Sequence, residues 1–349
     1  MSVAAASGTV AAAPHRRIPT RAPGRRRIPV SALRFVGCDS CRMTLAEYDA
    51  LGDERVEFFD SEAGLAWMVR EAARQEHEGP KAMLAALVRD ISHLRGSPIR
   101  CLGESQLRLL DADGRKVQAM HPDEMVFLHP ERAASSGTGF LSVGEQEYPD
   151  VVLEVDHTTD VRGNRLKAYE QWGFPEVWVE VPDAYSRSRP RGLRPGLTIY
   201  LLEEQRFVLS AASRAFPGWR AEEIHRALNE LVVSDETVAV LARIGRTLGE
   251  REGTGPNDDP LLRSLAREAR GEGRAEGRAG LLLGILASRG IAVSPGFPPR
   301  RHRAALAAAS DEAVLSAASS ASSESDFFAR LGATARPEPG EAPVGAESP

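Results

Sequence analysis

The chain has 349 residues, 42% of them hydrophobic and 27% charged, with a formal net charge of −5. That length builds one large domain or two small ones with ample core, and the charge excludes a globally basic nucleic-acid binder while leaving room for a local basic groove. No apolar run reaches the roughly 18 residues of a membrane span, and three cysteines are too few for a disulfide framework, which fits a reduced, cytoplasmic setting.

Residues 1–30 are rich in Ala, Pro and Arg and contain no acid. Such a stretch buries too little apolar surface to order itself, so a disordered basic tail is expected ahead of phosphate contact or a transit peptide. Cys38 and Cys41 form a CxxC without the second Cys or His pair of a zinc site, and without a thioredoxin-like context, so they read as incidental thiols. Thr44 and Glu47 have the spacing of a capping box. Strands are expected at 55–59 and 65–69 around a polar turn. A helix is expected over 72–94, where Met83, Leu84, Leu87, Val88 and Ile91 recur at helical spacing; Glu76 and His77 lie near its start. Short strands follow at 99–102 and 107–110, and Asp123 opens another after Pro122. Residues 131–147 read as a flexible connection.

The most informative stretch is 148–182. The strand 151–155 (VVLEV) carries Glu154, with Asp150 before it and Asp156 after it. A polar turn and a short helix with Lys167 and Tyr169 lead to a second apolar strand at 177–181. Acids in a valine-rich strand are costly to bury unless they meet a metal or another partner. Beyond this stretch, 197–202 and 206–209 read as a hairpin, and 221–231 and 236–248 as amphipathic helices. The GEGRAEGRAG repeat at 271–280 reads as a charge-laced, solvent-facing helix whose glycines lower its stability, running into a helix at 281–286. The Ala/Ser run and the Pro/Glu tail after 334 read as mostly disordered.

Two strand-associated carboxylates, Asp123 and Glu154, suit Mg²⁺, which takes one or two carboxylates and completes its shell with water and phosphate oxygens. Lys167 would orient the attacking water if its helix folds back over the sheet, and Glu76 would add a carboxylate from the long helix. On pattern alone the bland reading stays open: Pro-Asp is a common turn, and a strand Glu often faces solvent. The continuity of VVLEV favours an inward or mouth-facing Glu154. Asp156, His157 and Asp160 also have ligand chemistry, but the Thr pair between them suggests a capped loop.

Taken together and in order, MTLAEYDAL, RVEFFDSEAGLAWM, HPDEMVF, YPDVVLEV, the helix with Lys167 and Tyr169, and GFPEVWVEVPD resemble the Uma2 (DUF820-like) family over about residues 40–210. Its members resemble PD-(D/E)XK restriction endonuclease-like folds and are described as candidate endonucleases. The resemblance implies an α/β restriction endonuclease-like core over 40–215, a central mixed sheet flanked by helices. It would be followed by a helical extension at 216–252, a charged linker with C-terminal helices at 253–333 and a disordered tail at 334–349. It places the metal ligands on Asp123 and Glu154, with Asp150 or Asp156 as accessories. Lys167 would be the catalytic cation and Glu76 a supporting acid. The usual lysine two positions after the glutamate is replaced by Asp156. The activity implied is DNA cleavage with Mg²⁺ or Mn²⁺, by a protein that could form a homodimer and has no membrane partner. The alternative is a nuclease-like module that binds nucleic acid or a protein without cutting; Arg162, Arg165 and the loop from Arg187 to Arg194 would suit phosphate contact, although such loops are usually only solvated. No Gly-x-Ser-x-Gly elbow or Gly-Lys-Ser/Thr phosphate loop supports another hydrolase class.

Overall fold

A computed structural model describes residues 27–334 except 52–55, 71–74, 104, 135–139, 186 and 188. The chain divides into two units, Met1–Pro256 and Asn257–Pro349. In the first unit the apolar runs sort into two six-stranded mixed sheets, an α/β arrangement. The first sheet has the order β1-β3-β2-β6-β5-β8, built from β1 (Cys38–Arg42), β2 (Val56–Asp60), β3 (Leu65–Val69), β5 (Gln106–Leu110), β6 (Lys116–Met120) and β8 (Phe140–Ser142). The second has the order β12-β11-β10-β9-β7-β4, from β4 (Arg100–Gly103), β7 (Glu124–Phe127), β9 (Val151–Val155), β10 (Glu176–Val181), β11 (Gly196–Glu203) and β12 (Arg206–Ser210).

The continuous apolar pattern of β9 and β10 has a direct cause: the second sheet is buried on both faces. On one face Val151, Leu153, Val155 and Trp178 share a core with α2 (Gln75–Arg95), α5 (Ala221–Asn229) and α6 (Asp235–Glu252). On the other, Met125, Val152, Val177 and Val179 pack with α4 (Arg165–Trp172) and with Phe58, Leu107 and Met120 of the first sheet. β9 and β10 run parallel, which requires a crossover, and α4 lies in that connection. The expected capping box forms on α1 (Leu45–Leu51): Glu47 accepts from the Thr44 amide and hydroxyl, and Thr44 Oγ1 accepts from the Glu47 amide. A short α3 (Pro130–Ala134) interrupts the connection expected to be irregular.

Several expectations are corrected. Arg27 and Ile28, assigned to the basic tail, are ordered: Arg27 pairs with Asp60, and the Ile28 backbone exchanges two hydrogen bonds with the Gln118 amide. Residues 1–26 and 335–349 lie outside the described residues. Cys38 and Cys41 sit three apart on β1, so they point to opposite faces of the strand. In the second unit the repeat is helical as expected, and it forms one continuous helix with the segment that follows it, α7 (Pro260–Ser288). Asp259 caps it, and its apolar residues Ala279 and Leu282 share a core with α8 (Arg300–Ala308), α9 (Asp311–Ser320) and α10 (Glu324–Thr334). The Ala/Ser run is therefore helical, because each short helix buries an apolar face that none could bury alone. Among the described residues no helix is long and apolar enough to cross a membrane.

Helices α2 and α6 approach closely at Gly245, where an added Cβ would lie 2.5 Å from Leu94 Cβ and 3.1 Å from the Ile91 carbonyl oxygen. Gly245→Ala gains about 1 kcal/mol of helix propensity, but the overlap is with atoms that cannot swing away and overpacking costs about 1–3 kcal/mol. A net loss of up to about 2 kcal/mol in urea unfolding is expected.

Candidate active site

The acids named from the sequence separate into two groups. Glu124 of β7 pairs with Leu153 of β9, so Asp123, just before β7, meets the end of β9 that carries Glu154. The contact is direct: Asp123 Oδ2 accepts from the Val155 amide at 2.6 Å. Asp150 lies at the opposite end of β9, roughly 13 Å along the strand, where its oxygens accept from the Leu128 amide (2.8 Å) and Arg132 Nη1 (2.7 Å). The structure thus brings Asp123 and Glu154 together and leaves Asp150 out.

Glu154 is fully buried. It faces the space between the two sheets, where α4 also lies. The start of α4 is set by Asn164, whose side chain caps the Arg165 amide and donates to Glu57 Oε1 at 3.1 Å. Its end is set by Gly173 in the left-handed conformation, φ 84°, which suits glycine. This phase puts Arg165 and Tyr169, one turn apart, on the inner face. Tyr169 donates its hydroxyl proton to Glu154 Oε1. Arg165 grips Glu57 of β2 through Nε (3.0 Å) and Nη2 (2.9 Å), and its Nη1 lies 3.0 Å from Glu154 Oε2 and donates to the His121 carbonyl. The Nη1–Oε2 contact is an ion pair without hydrogen-bond alignment, so Glu154 Oε2 is a buried oxygen lacking a hydrogen-bond donor.

Lys167, expected as the catalytic cation, is not in this cluster. Two residues after Arg165 on a helix is about 200° around the axis. Lys167 is exposed and donates to the Ala32 carbonyl at 2.9 Å. Arg165 is the cation that meets the acids. Asp156 is fully buried, but both its oxygens accept from the Val161 amide (3.0 and 3.2 Å) and organise the following turn, as the capped-loop reading anticipated. Glu76 lies in the first turn of α2, and its side chain is outside the described residues. The next residue does reach the site: His77 Nε2 is 3.4 Å from Asp123 Oδ1, and its Nδ1 is 3.0 Å from Glu78 Oε1. Sequence reasoning missed Glu57, His77 and Tyr169 as site residues, and it offered Arg165 to phosphate, not to these acids. For Glu57 a signal existed, since VEFFD places an acid in an apolar strand just as VVLEV does.

The electrostatics follow from burial and neighbours. Burial opposes the charge of Asp123, yet His77 and Arg165 outweigh it and hold this carboxyl well below the usual range. Burial also opposes protonation of His77, but Asp123 and Glu78 raise its pKa to about 9. Complete burial pushes Glu154 well above the ordinary carboxylate range; Arg165 and Tyr169 oppose that shift, while Asp123 and Glu57 add to it. Burial likewise raises Asp156, against the opposing Val161 amide.

Among the described residues no group of three or more His, Cys, Asp or Glu is arranged to hold a metal ion. A hard divalent cation can be held by two carboxylates when water and substrate oxygens complete its shell. Asp123, held ionised, and Glu154, with its donor-free buried oxygen, fit that minimal demand.

No family model matches this sequence, and no curated protein matches it. Among solved structures, one match is a candidate nuclease of the DUF820 family from Anabaena variabilis. It is 13% identical with a TM-score of 0.35, over 58% of this chain and 99% of that one. A score this low assigns neither a fold nor an activity.

Arg165→Ala leaves Glu57 and Glu154 buried without their counter-charge, and a loss of about 3–5 kcal/mol is expected in denaturant unfolding. Lys167→Ala, at an exposed position, should stay within about 0.5 kcal/mol. His77 has a folded pKa above its unfolded value, so its stabilisation is complete below about pH 6.5 and is lost as pH rises through about 9. Thermal unfolding of the wild type and His77→Gln in metal-free buffer should therefore differ most at pH 6 and converge towards pH 10.

Proposed function

We propose that the Asp123–Glu154 cluster is the reaction centre of a phosphodiester hydrolase acting on nucleic acid, with DNA as the first substrate to test. The observation that carries this reading is the meeting of two buried carboxylates at one end of β9: Asp123 accepts from the Val155 amide next to Glu154, whose Oε2 is buried without a hydrogen-bond donor. His77 and Arg165 favour the Asp123 anion, whereas burial disfavours the anion of Glu154. Asp123 and Glu154 would hold Mg²⁺ or Mn²⁺, which supplies charge stabilisation at phosphorus and a more acidic bound water. Arg165 and Tyr169 hold the Glu154 carboxylate in one orientation, and the Val155 amide does the same for Asp123. His77 retains its proton at neutral pH and serves as counter-charge to Asp123, not as a base.

A second reading, a module that binds without cutting, has one observation in its favour: Arg165 already supplies Glu154 with a cation. The two readings part in a single assay. Supercoiled plasmid and single-stranded DNA are incubated with Mg²⁺ or Mn²⁺ and wild type, Asp123→Asn, Glu154→Gln or Lys167→Ala. Metal-dependent cutting that falls about 10²–10³-fold in the first two variants and persists in Lys167→Ala supports the hydrolase. No cutting by folded wild type under either metal sinks it and leaves the binding module.

A further inference from the structure

β9 and β10 run parallel, with Glu154 opposite Val179 and Val155 opposite Glu180, so the loop that leaves β10 rises from the same end of the sheet as the acidic cluster. That loop, residues 182–195, holds four arginines and one acid. Its base is tightly built. Asp183 accepts from His225 Nε2 at 3.2 Å, and its amide donates to Asn229 Oδ1 at 3.1 Å. The other His225 nitrogen bonds the fully buried Glu180 at 2.8 Å. Arg189 turns inward and donates to the Pro182 and Ala184 carbonyls, and Leu193 is buried.

The remaining arginines behave differently. Arg187, Arg191 and Arg194 are exposed, and none makes an ion pair or hydrogen bond among the described residues. Arg27, Arg132, Arg162 and Arg243 are each bound to a carboxylate. The same loop carries Tyr185, 81% exposed. Burying this ring's apolar face against neighbours would be favourable, so its exposure on an anchored loop calls for a ligand with a planar face. Phosphates spaced along a chain, with unstacked bases between them, supply both partners: guanidinium pairs with phosphate, and an aromatic ring stacks on a base irrespective of sequence. In a duplex the base faces are already stacked on one another.

We propose that the β10–β11 loop is a docking arm for single-stranded nucleic acid, with Arg187, Arg191 and Arg194 on phosphates and Tyr185 stacked on a base. This inference rests on the nucleic-acid reading of the neighbouring acidic cluster and names the form of substrate that the cluster would receive.

The test is fluorescence anisotropy of a labelled single-stranded oligonucleotide on the full chain, in EDTA, across a salt series. Duplex DNA and RNA of the same sequence are run alongside. The expected result is tighter binding of the single strand than of the duplex. The Arg187→Gln/Arg191→Gln/Arg194→Gln variant should lower the salt slope by about 2, since each phosphate contact on a single strand contributes about 0.7. Tyr185→Ala should weaken binding about tenfold and Tyr185→Phe should restore it. A triple variant with the wild-type slope and Kd, a Tyr185→Phe variant as weak as Tyr185→Ala, or a wild type that binds no strand would overturn the proposal. RNA binding equal to DNA supports recognition through bases and phosphates, and binding confined to RNA would overturn it in favour of ribose recognition. Because binding is read without metal, the two readings fail separately. Loop-dependent binding without any cutting leaves this inference standing, whereas cutting that needs Asp123 and Glu154 but ignores the loop removes this inference alone.

Discussion

The ion pairs of Arg165 with Glu57 and Glu154 connect the parts of the first unit. Glu57 comes from one sheet, Glu154 from the other, and Arg165 from the helix that crosses between β9 and β10. All three residues are almost fully buried. Removing such charges from water costs several kcal/mol per ion, and mutual attraction repays this only when the geometry is good and the remaining donors are satisfied. Here it is good. The guanidinium fork meets Glu57 through two nitrogens, its third nitrogen meets Glu154 and the His121 carbonyl, and Asn164 fills a further position on Glu57. A lysine has one nitrogen and could not reproduce this planar, divided grip.

Such an arrangement is a poor way to gain stability, since well-packed apolar residues of similar volume often do as well or better. Its specific effect is to give two carboxylates fixed and unequal surroundings. Asp123 is favoured as an anion because His77 and Arg165 face it, and Glu154 is disfavoured because burial and two neighbouring acids outweigh its partners. Under the proposed function, unequal carboxylates in a rigid frame would divide the roles of a reaction centre. Asp150 and Asp156, whose oxygens are taken by Leu128, Arg132 and Val161, have the form expected of structural acids.

The rest of the chain supports this frame at graded distances. Apolar layers cover both sides of the second sheet, and the β7–β9 register sets Asp123 beside Glu154, while the extended strand itself keeps Asp150 at its far end. At the end of β10, the Glu180–His225–Asp183 chain anchors the arginine-bearing loop to α5, so its exposed side chains project from an ordered base.

The sequence by itself determined the elements and much of the first pair of acids. Two-sided apolar runs marked β9 and β10, the Thr44–Glu47 spacing marked a capped helix, and an acid within VVLEV marked Glu154 as inward-facing, because these are local consequences of periodicity and burial. It also contained the helical spacing of Arg165 and Tyr169, and on a helix that starts at Arg165 this spacing puts Lys167 on another face. Tertiary structure alone decided which groups face those acids. Glu57 and Arg165 are 108 positions apart, and Asp123 and Val155 are 32 apart. Local pattern records that an acid must be buried, but its counter-charge is chosen by how sheets and helices pack. The C-terminal helices show the same division: their Ala/Ser run reads locally as disorder, and the shared core around Leu282, Leu306 and Phe327 makes it fold.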